Sequence, residues 1–136
     1  MNRKAISWIL EYTSKLPREE QIKCLRANAV QPILTVLKYC FDPNIKWALP
    51  EGEPPYEVTE EPHRQDVLYT EARKLYLFIE GGNPNLKPLR REFLFVDLLQ
   101  KVDPNDAKLL ISIKDKVMPY PGLEADVVKE AFPDLW

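Results

Sequence analysis

The side chains able to do chemistry are few in this sequence, and their spacing fits no catalytic or metal-binding design. His63 is the only histidine among 136 residues, so no Ser-His-Asp or Cys-His arrangement and no multi-histidine metal set can be assembled. It stands among Glu60, Glu61 and Asp66, which match no established ligand spacing and read as a solvated acidic loop. Cys24 and Cys40 form no CxxC pair and read as buried thiols suited to a reducing cytosol. Gly81-Gly82 runs into Asn83-Pro84 and not into a phosphate-cradling motif, so it reads as a helix end. The carboxylate pair Glu19-Glu20 belongs at a helix start and Glu60-Glu61 in a polar loop; neither suggests the desolvated acid that general acid–base work needs. No catalytic residue, cofactor site or metal site follows, and the expectation is a protein that is not an enzyme.

Two sets of residues are candidates for binding. Lys87, Arg90 and Arg91 fall at i, i+3 and i+4 near a helix N-terminus, a small basic face suited to a phosphate or an acidic partner. The second set lies in residues 44–63, a segment with four prolines and five glutamates in which Pro54-Pro55 forbids a helix. Trp47, Glu51, Glu53, Tyr56, Glu60 and Glu61 are its expected partner contacts. Trp47, Leu49, Tyr56 and Val58 would pin parts of the segment to the body, with room for a short hairpin.

The rest of the chain must position these residues, and its pattern is helical. Apolar residues at Ile6, Ile9, Leu10, Thr13 and Leu16 mark a first helix, and Pro17 opens a second with the face Ile22, Leu25 and Ala29. Pro32 opens a third, carrying Ile33, Val36, Leu37, Cys40 and Phe41. A further helix from about Arg64 to Gly81 has the stripe Leu68, Ala72, Leu75, Tyr76 and Ile79. The next, from about Leu86, is apolar on most of its surface (Leu89, Phe93, Phe95, Val96, Leu98, Leu99), which predicts a central, largely buried helix. Asp103-Pro104-Asn105-Asp106 is a helix start with cap, proline and early acid. Pro119-Tyr120-Pro121-Gly122 breaks that helix, and a last one runs from Leu123 to Phe132. The expected fold is all-α: one domain, 1–136, of six or seven short helices packed as antiparallel hairpins, with one long acidic, proline-rich loop at 44–63.

Composition agrees with a globular chain: 45% hydrophobic, 29% charged, net charge −2. That charge supplies no general field for a polyanion, so nucleic-acid binding would need a local patch. No apolar run is long enough to span a bilayer. The N-terminal segment is interrupted by Glu11 and Lys15 and reads as a helix, not a signal peptide.

The segment K-D-K-V-M-P-Y-P-G-L…V-V-K-E-A-F-P-D-L, Lys114 to Leu135, with Asp103 to Ile113 before it, resembles the C-terminal signature of a family of small uncharacterised proteins. That family, a domain of unknown function, comes from T-even-like tailed phages of marine and cyanobacterial hosts. The resemblance implies a protein made in the cytoplasm of an infected bacterium and brings no catalytic residue with it. The expected function is therefore a non-enzymatic accessory factor that binds a phage or host protein. The alternative is a nucleic-acid-associated factor in phage replication or transcription, using Lys87, Arg90 and Arg91.

Overall fold

Prolines, joined at one start by an aspartate, open four of the described α-helices, where backbone donors would otherwise be stranded. In the computed structural model, which describes residues 3–58 and 64–136, seven α-helices and one 3-10 helix follow in order among the described residues. They are α1 (Ile6–Ser14), α2 (Arg18–Ala27), α3 (Gln31–Phe41), α4 (Val67–Glu71), the 3-10 helix (Ala72–Phe78), α5 (Pro88–Lys101), α6 (Pro104–Lys114) and α7 (Ala125–Ala131). Pro17 caps α2, Pro32 is the second residue of α3, and Pro88 and Pro104 are the first residues of α5 and α6. At α6 the Asp103 carboxylate accepts the Asn105 N–H at 2.9 Å, so cap and proline act together as expected. No described helix is long and apolar enough to cross a membrane.

The centre of the molecule is α6. It packs on α1, α3 and α5, and Ala107, Leu109, Leu110 and Ile113 are all 0% exposed. The outer pair α2 and α7 is tied by Arg18, which donates to Asp126 at 2.7 Å and Glu130 at 3.1 Å. Between these layers the connection at Gly122 admits no side chain: its φ is +100°, and a Cβ would sit 2.6 Å from the Ser14 carbonyl oxygen. Phe132 is half-buried, and Trp136 folds back onto Phe41 with ring centroids 6.3 Å apart.

Three expectations fail here for physical reasons. The single helix from Arg64 to Gly81 is instead a short α4 followed by the 3-10 helix. Its buried residues Ala72, Leu75 and Phe78 repeat every third position, the period of a 3-10 helix, and Tyr76 is consequently 46% exposed. The hairpin within 44–63 does not form among the described residues: Trp47 makes an antiparallel bridge with Ile79, flanked by Ala48 N–H to Phe78 O and Glu80 N–H to Lys46 O, each 2.7 Å. Finally, α5 is not the buried axis. It covers Arg91, Phe95, Leu98 and Leu99 and leaves Leu89 and Phe93 facing out.

Candidate docking groove

Three consecutive side chains at the end of α6 hold the segment that follows α3. Lys116 has φ 63°, a left-handed conformation costing about 1 kcal/mol for a residue with a Cβ. That turn delivers its ammonium to three carbonyl oxygens, Tyr39 at 3.0 Å, Asp42 at 2.7 Å and Ile45 at 3.0 Å. Burial lowers its pKa, opposed by Cys40 and Asp42. Lys114, with only 2% of its side chain exposed, donates to the Pro50 carbonyl and the Asp115 carboxylate, both at 2.7 Å. Asp115 in turn accepts the Gly52 N–H at 3.1 Å. Lys114, Asp115 and Lys116 thus form a clamp over the end of α3 and the irregular backbone that follows it, adding a cation to the Tyr39 and Asp42 carbonyls that also accept the Trp47 indole N–H and the Ile45 N–H. Trp47 adds an apolar strut: its indole N–H donates to Tyr39 O at 3.0 Å, and its ring stands edge-on to Phe95 at 6.4 Å.

The clamped segment forms one wall of a groove of about 500 Å3. Residues 49–55 make that wall, the outer face of α5 makes the other, and Phe95 and Lys114 lie between. On α5 the lining positions are Leu89, Glu92, Phe93 and Val96, the i, i+3, i+4, i+7 set of a single helix face. Leu89 is 69% exposed and Phe93 65% exposed, the largest such values among the described large hydrophobic residues. Glu51, Glu53 and Glu92 place three carboxylates on the lining. Farther along the same wall, the Glu57 N–H donates to the Gln100 side chain at 3.1 Å and ties the segment to α5. Such a surface, apolar at the centre and charged at the edge, can recognise a partner side chain by side chain; it offers no nucleophile with an adjacent base.

The structure divides the sequence-derived candidates. Glu51 and Glu53 are exposed at the groove, and Tyr56 is half-buried, its pKa raised by burial and by Glu53. Trp47 is 9% exposed and is an internal strut, because its N–H finds a carbonyl and its ring finds Phe95. Lys87 and Arg90 are exposed at the start of α5, but Arg91 turns inward and does not share their face. Its guanidinium donates to Leu77 O at 2.9 Å, Asn83 O at 3.2 Å and Leu86 O at 3.1 Å, cross-linking the turn before α5 to the 3-10 helix. The helical-wheel spacing placed it with Lys87, yet Lys87 is the cap and lies outside the helix. Glu60, Glu61 and His63 lie outside the described residues. Sequence reasoning missed the clamp and the outward setting of Leu89 and Phe93; the surplus of apolar residues on α5 was the available signal.

One further polar cluster lies away from the groove. Asp106 is 0% exposed, and its Oδ1 accepts the Ser7 N–H at 2.9 Å, capping the start of α1 from a neighbouring helix. Its Oδ2 and the Ser7 hydroxyl find no hydrogen-bond partner in the described residues. Burial pushes the Asp106 carboxyl up to about 6, opposed by the Ser7 N–H, and burial also raises the nearby Tyr120 phenol. Of the two cysteines, both free, Cys40 is buried and its thiol is pushed up to about 12, which makes it a packing group at neutral pH. Cys24 is half-buried beside the Thr13 hydroxyl at 3.1 Å. No group of three or more metal-ligating side chains occurs among the described residues.

Residues 9–119 match the model of a family of unknown function, DUF6433, and the chain belongs to that family. The match includes the groove and the clamp and ends before Tyr120, so most of the segment that carried the C-terminal resemblance lies beyond it. The chain matches no curated protein and no solved structure.

Proposed function

We propose that this member of the DUF6433 family is a non-enzymatic accessory protein that docks a partner protein through the groove between α5 and residues 49–55. The observation that carries the reading is the exposure of Leu89 and Phe93 on one helix face beside a wall held in place by Lys114, Asp115 and Lys116. Large apolar side chains set together at a surface are costly in water and mark interaction sites. A wall already fixed by the clamp loses little conformational freedom when a partner arrives. The setting proposed is the cytoplasm of a bacterium infected by a T-even-like phage of marine or cyanobacterial hosts, supported by the resemblance of Lys114–Leu135. Genes for phage replication or structural proteins beside this one would agree with that setting; a neighbourhood of bacterial housekeeping genes would refute it.

The docking reading is tested by replacing Leu89 and Phe93 together with aspartate. The expected result is an unchanged melting temperature with loss of partner binding. Full binding by the double variant would remove the groove from the account. The alternative, association with nucleic acid, has less support: Arg91 is engaged with three carbonyls, leaving Lys87 and Arg90 in a chain of net charge −2. A mobility shift at low salt that charge reversal at Arg90 abolishes would favour it.

A further inference from the structure

We infer that the occupant of the α5 groove is a cationic amphipathic helix, with apolar side chains set against Leu89, Phe93 and Val96 and lysines or arginines against Glu51, Glu53 and Glu92. The inference rests on the docking reading of the same groove and adds the chemistry of the partner. Three observations carry it. First, the lining carries three carboxylates, whereas its one cation, Lys114, is already committed to Pro50 O and the Asp115 carboxylate. The free charge facing a ligand is therefore negative, and a cationic partner is both steered toward it and selected by it.

Second, the apolar positions lie on one helix face at i, i+4 and i+7, a ridge that complements the i, i+3, i+4, i+7 stripe of a second helix. Third, the opposite wall cannot take an added strand along its length. Pro54 and Pro55 have no N–H to donate, and the Gly52 N–H is already given to Asp115. An extended peptide would find donors missing from the edge it must pair with, whereas a helix satisfies its own backbone and brings only side chains. Lys87 and Arg90 at the N-terminal end of α5 add a direction: an acidic residue of the partner belongs at that end, and its basic residues belong along the glutamates.

The test is selection of displayed helical peptides against the full chain, with counter-selection against the Leu89→Asp/Phe93→Asp variant. Enriched peptides are expected to carry an apolar stripe at helical spacing flanked by lysine or arginine. A synthetic peptide of the consensus sequence should bind about tenfold or more weakly to the Glu51→Lys/Glu53→Lys/Glu92→Lys variant, and should weaken as salt is raised. Thermal melts of both variants check that the fold is intact. Enrichment of neutral or acidic peptides that still need Leu89 and Phe93 would overturn the cationic partner and leave the docking reading standing. Enrichment of nothing that distinguishes the two baits would overturn both. Concentration-dependent self-association that Leu89→Asp/Phe93→Asp abolishes would assign the groove to a second copy of the chain and overturn the inference.

Discussion

Phe93 and Phe95 stand two residues apart on α5 and live in opposite surroundings. Phe95 is 2% exposed, edge-on to Phe78 at 5.2 Å and to Trp47 at 6.4 Å, on the same inward face as the Arg91 guanidinium with its three carbonyls. Phe93 is 65% exposed, shares its face with Leu89 and Glu92, and looks across the groove to Glu51 and Glu53. The inner face is complete: its apolar surface is covered and its one charge is satisfied by hydrogen bonds. On the outer face Leu89 and Phe93 are left uncovered by the described residues and add little to the fold. Under the docking proposal, stability and recognition are separated onto two sides of one helix.

The largest effect that can break this division is Phe95→Ala, expected to cost about 3–5 kcal/mol in denaturant unfolding because it empties the contact between α5, the 3-10 helix and Trp47. A loss below 1 kcal/mol would mean that the inner face is not the structural one. A buried polar group inside α6 offers a second contrast, with the opposite sign. The Asp106 carboxyl is raised to about 6 in the folded chain against an ordinary 3.8. The folded state therefore holds a proton that the unfolded state has released between those values. Its contribution to stability is fully present below about pH 4 and is lost as pH rises through about 6. Asp106→Asn keeps an acceptor for the Ser7 N–H and removes the buried charge, so it should stabilise by up to about 3 kcal/mol at pH 7.5. That gain should vanish near pH 4, where a melt series of the two proteins would converge. The nearby Asp103 carboxylate adds to the rise.

The clamp tests whether the wall of the groove is held or loose. Lys116→Met leaves the Tyr39, Asp42 and Ile45 carbonyls without their cation and should cost about 1.5–2 kcal/mol. Amide exchange should accelerate over residues 39–52 more than in α1 or α7; uniform acceleration would mean that the clamp has no local role. The smallest expected effect is the sharpest. Leu89→Ala and Phe93→Ala should each change stability by no more than about 0.5 kcal/mol, in contrast with the several kcal/mol expected two residues away.

Much of this architecture was legible in the chain. Asp103-Pro104, Pro17 and Pro32 act locally, so their sequence positions alone locate helix starts. The all-α class followed from the same periodicity. What stayed hidden depends on partners far away in sequence. Periodicity counts apolar residues on α5 but does not say which of them meet Phe78 and Trp47 and which meet water. Arg91 reads as a surface cation until the turn at Asn83 and Leu86 supplies carbonyls for it. Trp47 reads as an exposed contact until Ile79 pairs with it across 32 positions. The exposure of the glutamates at 51 and 53 was legible because proline and charge exclude helix and core from that segment, whereas the clamp's Lys114 and Lys116 look like ordinary basic residues at a helix C-terminus.

The central claim, that the outer face of α5 and the clamped wall form one docking surface, is tested most directly by amide chemical-shift mapping with the selected cationic peptide. The account predicts saturable shifts at Leu89, Glu92, Phe93, Val96 and residues 49–53, with α1 and α7 unmoved. Shifts confined to another surface, or none at peptide concentrations well above those used in selection, would contradict it.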